Sequence, residues 1–372
     1  MKTWAYVVGL VVPLLGVVAM NQAVDAGGVG ASAIVRQLAG EQGWQDLLVA
    51  PSQFDHRAWV KTRLLMPSEC PDVLVLGSST VGAIADGMIP NAKLRNAYVG
   101  GPTVEDFEAL SVVLRASSCK PRAVIVGVDP WWLGNGAIVE QRWTSLIDEY
   151  LEYHAEDGPF AHLLVRSQVG WARFEERLNF TTTRESARLL LARGTLRGPR
   201  MWREGEAAFC ASDPSDRYVR AADGHYVVCA NQLPSKEERE AKASSYLERN
   251  MHEMNGWREV AYTRLDRFER VVGAWSRTIG RVVLVSMPYH PITYERLLGS
   301  PRVRRNLADF DARVAAMAAE RVEVVWLRDP AKVPCVGDDF EESHHSAPAC
   351  ARKIATHLVE HTRALGSSPL PP

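Results

Sequence analysis

Short apolar runs recur along the chain, separated by longer stretches in which apolar positions return every three or four residues. A short apolar run predicts a strand buried on both faces of a sheet, and the runs that fit are Val73–Leu76, Leu94–Val99, Ala123–Val128, Arg281–Met287 and Val322–Leu327. The periodic stretches predict helices, notably over residues 105–115, 307–317 and 348–365, with another ending near residue 278. Strands that alternate with helices predict a doubly wound α/β domain.

This alternation lapses in the middle of the chain, where the composition changes. Residues 136–272 are expected to form a large, mainly helical insertion with a hairpin at Ala222–His225. The α/β domain is then expected to comprise residues 69–135 and 273–366, followed by a disordered tail at 367–372.

The N-terminal segment has the composition of a membrane helix. Thr3–Val24 carries no charged residue, and about 20 apolar residues suffice to cross a bilayer as a helix. Residues 1–24 are therefore expected to be an uncleaved anchor with Lys2 on the cytoplasmic side, and a cleaved signal peptide is the alternative. Either one exports the body of the protein, which follows a linker and lead-in helix at residues 25–68.

Charge and cysteine usage agree with an exported globular protein. The 372 residues carry a net charge of −1, which argues against nucleic acid as a partner. The six cysteines fall into three sequential couples, so we predict the disulfides Cys70–Cys119, Cys210–Cys229 and Cys335–Cys350. A C-x-x-C pair is absent from the sequence, which makes a structural zinc site improbable.

Two polar clusters carry candidate chemistry, and the first is the turn Gly77–Thr80. It follows the Val73–Leu76 strand, so its hydroxyls are predicted to lie at the carboxyl edge of the sheet, where α/β proteins bind ligands. Ser79 is the candidate nucleophile there. The alternative is that the hydroxyls only cap a helix that begins near Thr80.

The second cluster, Asp338–Pro348, precedes the last helix and is rich in carboxylates and histidines. A carboxylate three residues before a histidine can accept from its Nδ1–H and leave Nε2 free to take a proton from a serine. Glu342 and His345 have this spacing. A solvated surface loop and a metal site that uses His344 and His345 are the alternatives.

Together, the serine turn, Gly101 and the distal Glu342-x-x-His345 resemble the SGNH/GDSL hydrolase superfamily, in particular its membrane-anchored DltD-like and alginate-acetylation members. The resemblance implies a three-layer α/β/α flavodoxin-like fold and no cofactor. It also implies that Ser79 is the nucleophile, His345 the general base and Glu342 the residue that orients it. The backbone N–H groups of Ser79 and Gly101 would stabilise the oxyanion.

The resemblance covers roughly residues 70–135 and 275–366, and two positions depart from the family pattern. Asp129 stands where the family has an asparagine that donates to the oxyanion. Asp129 is therefore expected to be protonated or to have a structural or substrate-binding role, unless Asn135 supplies the amide. Glu342 replaces the aspartate of the family and is one methylene longer.

Two aromatic segments are candidates for substrate contact. Trp131 follows Asp129-Pro130 at the carboxyl edge, where an indole can stack on a sugar ring. The alternative is that Trp131 packs between the α/β domain and the insertion. His290 follows the Arg281–Met287 strand and lies at the same edge, in a segment that turn formation also explains.

The sequence therefore predicts an exported, membrane-tethered serine esterase or O-acyltransferase. By analogy with the family, its expected substrate is an acyl ester of a cell-envelope glycan or a small ester, and a membrane-bound O-acyltransferase is an expected partner. One alternative is a catalytically degenerate SGNH-fold protein that assembles envelope components or binds glycan, for which Asp129 is the main argument. A metal-dependent hydrolase is the third hypothesis.

Overall fold

A computed structural model describes residues 12–20, 31–50, 55–66, 70–133, 145–155, 199–212 and 218–365, with isolated positions between 158 and 187. Residues 12–20 are helical. Within these described ranges, no helix is both long and apolar enough to cross a membrane. The membrane anchor over residues 1–24 therefore stays a prediction.

Strands and helices are numbered here in chain order. The strands are β1 (Leu47–Ala50), β2 (Val73–Leu76), β3 (Leu94–Asn96), β4 (Ala123–Gly127), β5 (Arg200–Trp202), β6 (Tyr218–Arg220), β7 (Arg281–Ser286) and β8 (Val322–Trp326). The helices after residue 30 are α1 (Ala31–Glu41), α2 (His56–Leu65), α3 (Val104–Ala116), α4 (Ile147–Ala155), α5 (Gly205–Ala211), α6 (Lys236–Ser244), α7 (Tyr262–Thr278), α8 (Pro291–Gly299), α9 (Pro301–Ala315) and α10 (Pro348–His361).

The larger sheet is parallel, as the sequence predicted. Its five strands lie in the order β3-β2-β4-β7-β8, and every neighbouring pair is parallel. Counted along the sheet's own strands this is the order 2-1-3-4-5, a doubly wound topology whose direction of winding reverses between β2 and β4. Ligands bind outside the carboxyl ends of the strands at such a reversal, and the serine turn follows β2 there.

Helices cover both faces of this sheet because its strands are apolar on both sides. Leu74 and Leu76 of β2 belong to one core cluster together with residues of α3, α7 and α9. Val73 and Val75 point to the opposite face and share a second cluster with α10. The domain is therefore a three-layer α/β/α arrangement, in which each strand contributes alternate residues to two separate cores.

The connection from β2 to β3 differs from the prediction. A helix was expected from about Thr80, but Ser79–Val81 forms only a single 3-10 turn and the chain continues in irregular turns to β3. Gly87 has a left-handed backbone (φ +81°) and Pro90 lacks an N–H, so this segment cannot sustain a regular helix. The buried Asn96 side chain instead holds the turns, donating to the carbonyls of Val81 (2.7 Å) and Ile84 (2.8 Å).

A second sheet, which the sequence analysis did not predict, joins the lead-in region to the insertion. β1 lies between β5 and β6 and pairs antiparallel with both. All four residues of β1 are buried, as are most residues of α2. The expected turn at Ala222–His225 follows β6, with Arg220 and Tyr226 paired across it. Residues of the lead-in region are thus part of the folded body.

The C-terminal limit of the insertion also differs from the sequence-based division. Helix α7 runs through residue 272, where the insertion was expected to end, and packs against α3 and β7 of the α/β domain. Its buried residues Phe268, Val272 and Trp275 belong to the core beneath the larger sheet.

The three predicted disulfides are present. Cys70 and Cys119 precede β2 and β4, whose starts are adjacent because the two strands pair in parallel. Cys210–Cys229 ties α5 to the segment after β6, and Cys335–Cys350 closes the loop before α10. Disulfides persist in oxidising compartments, so three bridges indicate an extracytoplasmic location.

Candidate active site

The serine turn lies where β2 and β4 come close together. Gly77 ends β2 with φ +138°, and a Cβ there would lie 3.0 Å from the Gly127 carbonyl oxygen at the end of β4. A side chain at position 77 would therefore clash with the end of β4, so glycine is required there. Ser78 and Thr80 are buried, whereas Ser79 between them is partly exposed. Ser79 is thus the hydroxyl of this turn that a substrate can reach.

Ser79, His345 and Glu342 form a continuous hydrogen-bonded chain. The Ser79 Oγ lies 2.7 Å from Nε2 of His345, and His345 Nδ1 lies 2.7 Å from Oε1 of Glu342. Because the Glu342 carboxylate accepts from Nδ1–H, the neutral ring presents Nε2 as an acceptor toward Ser79. The loop between Cys335 and Cys350 carries the acid and the histidine, and a backbone hydrogen bond from Glu341 N to His345 O (2.9 Å) folds it back on itself.

The charges around His345 favour its protonated form. Burial by itself disfavours that form, but the hydrogen bond and charge of Glu342, together with Glu341 and Asp129, outweigh burial and raise the pKa of His345. Burial also works against ionised Glu342, yet its hydrogen bond from His345 and the charge on that ring lower the pKa of the carboxyl. The pair therefore stabilises the imidazolium that forms when the histidine takes the serine proton.

The Asp129 carboxylate accepts hydrogen bonds from the hydroxyls of the two residues that flank Ser79. The carboxylate accepts from Ser78 Oγ at 2.5 Å and from Thr80 Oγ1 at 3.2 Å, and the side chain is almost completely buried. Burial raises the pKa of this carboxyl, although the two hydroxyl donors act in the opposite direction. Asp129 thus ties the serine turn to the end of β4. Ser78 also caps the 3-10 turn by accepting from Thr80 N (3.1 Å), so the capping alternative applies to Ser78.

Gly101 lies in the loop after β3, at the same carboxyl edge as Ser79. The chain before it runs along the serine turn, since Val99 N donates to Gly77 O at 3.0 Å. Gly101 has a left-handed backbone (φ +55°), and the Arg57 guanidinium donates to its carbonyl (3.2 Å) and to that of Gly100 (3.4 Å). Because the peptide is trans, the Gly101 N–H points away from Arg57.

A buried ion pair fixes Arg57 itself, which the sequence analysis missed. The guanidinium donates from Nε to one oxygen of Asp106 (2.6 Å) and from Nη2 to the other (2.7 Å). Asp106 also accepts from the backbone N–H of Thr103 (2.8 Å) and so caps helix α3. The loop that carries Gly101 is therefore held by Arg57 at the Gly100 and Gly101 carbonyls and by Asp106 at Thr103.

Glu341 is a second carboxyl beside the catalytic histidine. Its Oε1 is buried and has no hydrogen-bond partner among the described residues. Burial raises the pKa of Glu341 to about 7, because nearby Glu342 adds to the effect of burial and His345 only partly opposes it. Because the two groups interact, a change of charge on either one shifts the pKa of the other.

Aromatic rings from the insertion and from the α/β domain extend the site beyond His345. The His344 ring lies 4.1 Å from that of His345, and the His252 ring lies 4.6 Å from His344 at nearly a right angle. Trp131 stacks on His252 with 4.5 Å between ring centroids. Burial and the neighbouring His345 lower the pKa of His252 to about 4, so His252 is neutral at physiological pH. The sequence analysis missed His252, because it lies in the insertion, far along the chain from both polar clusters.

His290, which was also predicted to lie at the site, is outside this arrangement. His290 caps helix α8 by accepting from Ile292 N on Nδ1 (3.2 Å), and its ring packs on Phe340 rather than on the triad. Trp132, next to Trp131, is fully buried between Phe107 and Phe268 and fills the core. The position of Asn135 falls outside the described residues.

The same loop offers a possible set of metal ligands. One ligand atom from each of Glu342, His344 and His345 lies within 4.8 Å of the others. Adjacent histidines point apart in regular secondary structure, but this loop is irregular and the two rings face each other at a 38° tilt. A metal held there would compete with the hydrogen bond between Glu342 and His345 Nδ1.

Comparisons with known proteins do not place this chain in a family. No family model matches it, and no curated protein matches it.

Proposed function

We propose that the protein is an exported, SGNH-like serine esterase or O-acyltransferase. The observation that carries the proposal is the Ser79–His345–Glu342 chain of two 2.7 Å hydrogen bonds at the carboxyl edge of a parallel sheet. A partly exposed serine whose proton can pass to an oriented imidazole is the arrangement that serine hydrolases use. The three disulfides agree with a role outside the cytoplasm.

In this reaction Ser79 Oγ bonds to the acyl carbon as its proton moves to His345 Nε2. The bond from the acyl carbon to the alcohol oxygen then breaks, and the imidazolium returns the proton to the departing alcohol. Water or a sugar hydroxyl then attacks the acyl carbon and gives its proton to His345. The bond from this carbon to Ser79 Oγ breaks, and His345 returns the proton to Ser79 as the acid or a new ester leaves. The N–H groups of Ser79 and Gly101 are the proposed oxyanion donors, since Asp129 is occupied by Ser78 and Thr80.

The proposed substrates are acyl esters, most naturally acetyl esters, of cell-envelope carbohydrate. This part rests on the resemblance to polysaccharide-acylating SGNH members and on the expected export of the chain. A membrane-bound O-acyltransferase is the proposed partner for the same reason, and tethering through residues 1–24 would keep the two enzymes on one membrane surface.

Labelling of the full-length protein with a fluorophosphonate probe tests the function. Wild type is expected to label, whereas Ser79→Ala and His345→Ala are expected not to. Ser212→Ala and His357→Ala alter residues remote from the site and should label like wild type. A folded wild-type protein that does not label would contradict the enzyme and favour the degenerate, glycan-binding alternative.

The metal-dependent hydrolase is a second candidate because Glu342, His344 and His345 cluster within ligand distance. Activity that is abolished by a chelator and restored by Zn²⁺, with Ser79→Ala still active, would favour it. Chelator-resistant activity that requires Ser79 would favour the serine mechanism.

A further inference from the structure

His252 is held in an unusual conformation beside the catalytic histidine. Its backbone is left-handed (φ 51°), as is that of Asn250 (φ 49°), and non-glycine residues adopt this region rarely and at an energetic cost. Such conformations concentrate at binding and catalytic sites, where neighbouring contacts hold them. The contacts on His252 are Trp131, stacked on one face, and His344, which meets the ring edge-on.

A hydrogen bond with Tyr246 occupies one ring nitrogen of His252. The Tyr246 hydroxyl lies 3.0 Å from Nδ1 of His252, and Tyr246 is buried and stays protonated because burial raises its pKa well above the usual value. Nε2 is therefore the ring nitrogen left for a ligand, as donor or acceptor according to the tautomer. Nε2 makes no hydrogen bond within the described part of the chain, and the side chain is partly exposed.

The position of His252 relative to the triad indicates which part of a substrate it meets. In the proposed reaction the alcohol oxygen must receive its proton from His345 Nε2, so the alcohol leaves on the histidine side of Ser79. His252 lies on that side, because its ring contacts the ring of His344, which in turn contacts the ring of His345. Gly101, the proposed oxyanion donor, comes from a different element, the loop after β3.

We propose that Nε2 of His252 forms a hydrogen bond with a second hydroxyl of the alcohol moiety of the ester, so that the insertion selects polyhydroxylated alcohols such as sugars. Trp131 and Tyr246 act through His252 as positioning residues: the indole holds the ring plane and the phenol occupies Nδ1. This inference rests on the proposed esterase function.

The test compares two acetate esters that differ only in the alcohol, 6-O-acetylglucose and ethyl acetate, with released acetate as the common readout. His252→Phe keeps an aromatic ring against Trp131 but has no ring nitrogen. It is expected to lower kcat/KM for the sugar ester by about 2- to 10-fold, the usual worth of one neutral hydrogen bond. The loss on ethyl acetate should be smaller, because ethanol has no second oxygen for Nε2 to bind.

His252→Gln retains an N–H donor and should recover part of the activity on the sugar ester. His357→Phe, at a partly exposed position on α10 where the ring stacks on His361, is the matched control and should change neither ester. Thermal unfolding of each variant reports whether the loss of the Tyr246 contact has disturbed the fold.

The outcomes separate the two proposals. Equal loss on both esters, no loss on the sugar ester, or a wild type that cleaves only ethyl acetate would overturn the role of His252 and leave the esterase standing. A wild type that hydrolyses neither ester would count against the esterase itself, and the role of His252 would fall with it. A larger loss on the sugar ester than on ethyl acetate, with recovery in His252→Gln, supports the proposal.

Discussion

Glu342 offers the sharpest test of the proposed mechanism, through the near-isosteric change Glu342→Gln. In the native site Oε1 of Glu342 accepts from His345 Nδ1 at 2.7 Å, which leaves Nε2 as the acceptor for Ser79. A glutamine amide can place its NH₂ against Nδ1 instead. The favoured tautomer would then carry its hydrogen on Nε2 and could not take the serine proton.

The size of the effect follows from the interaction that is lost. A hydrogen bond to a charged group contributes about 1.5–3 kcal/mol, so loss of the ion pair alone lowers the rate by about 10- to 100-fold. Stabilising the wrong tautomer adds to this, and triads with the equivalent change lose about 10⁴-fold in kcat. We therefore expect Glu342→Gln to lower kcat by about 10²- to 10⁴-fold.

The pH profile gives a second, independent readout. Because Glu342 helps to raise the pKa of His345, and the base must be neutral, wild-type kcat/KM should rise with pH through an inflection above the usual value of about 6.5. In Glu342→Gln this inflection should move to lower pH. The assay is acetate release from 6-O-acetylglucose between acid and alkaline pH, with the fold of each variant checked by circular dichroism.

Glu341→Gln is the matched control because it changes the neighbouring carboxyl, which does not bond His345 Nδ1. Its inflection should also shift to lower pH, since a negative charge near His345 is removed, but its activity at the alkaline plateau should remain. Glu342→Gln activity close to wild type, with an unchanged inflection, would refute the assignment of Glu342.

Three further predictions concern the framework of the site. Arg57→Met should lower the free energy of unfolding by about 3–5 kcal/mol in a urea titration, because Asp106 would remain buried and unpaired. A loss no larger than that of a surface substitution would contradict the role given to this ion pair. Asp129→Ala should lower the free energy of unfolding by about 1–3 kcal/mol, because two buried hydroxyls lose their acceptor; Asp129→Asn, which keeps an acceptor oxygen, should lower it by less. Equal losses of stability in the two variants would argue against the hydroxyl contacts. Replacing both Cys335 and Cys350 by serine should lower the free energy of unfolding by about 3 kcal/mol, as expected for a closed loop of 15 residues, and should lower activity because the catalytic loop lies between them. Full activity in the folded variant would show that the loop holds its shape without the disulfide.

Local patterns in the sequence predict many features of this structure. Buried strands such as Val73–Leu76 are recognisable from consecutive apolar residues, and the pairing of Cys70 with Cys119 follows from their positions before adjacent parallel strands. The spacing of Glu342 and His345 on one short loop likewise suffices to predict their hydrogen bond, because three residues of chain limit how far apart they can lie. The strands and the Glu342–His345 contact depend on neighbours in sequence, and the cysteine pairing needs only the adjacency of two parallel strands that the α/β pattern predicts.

The tertiary structure decided the contacts between distant segments. Asp129 was recognised as a departure from the family pattern, but its partners Ser78 and Thr80 are about 50 residues away and become neighbours only because β2 and β4 pair. The helix expected after Ser79 is replaced by turns that Asn96 holds from the next strand. His252 reaches the site through a left-handed backbone and packing on Trp131, and neither can be deduced from the period of its own segment. Periodicity reports which face of an element is buried, whereas the partner that buries it depends on how the whole chain folds.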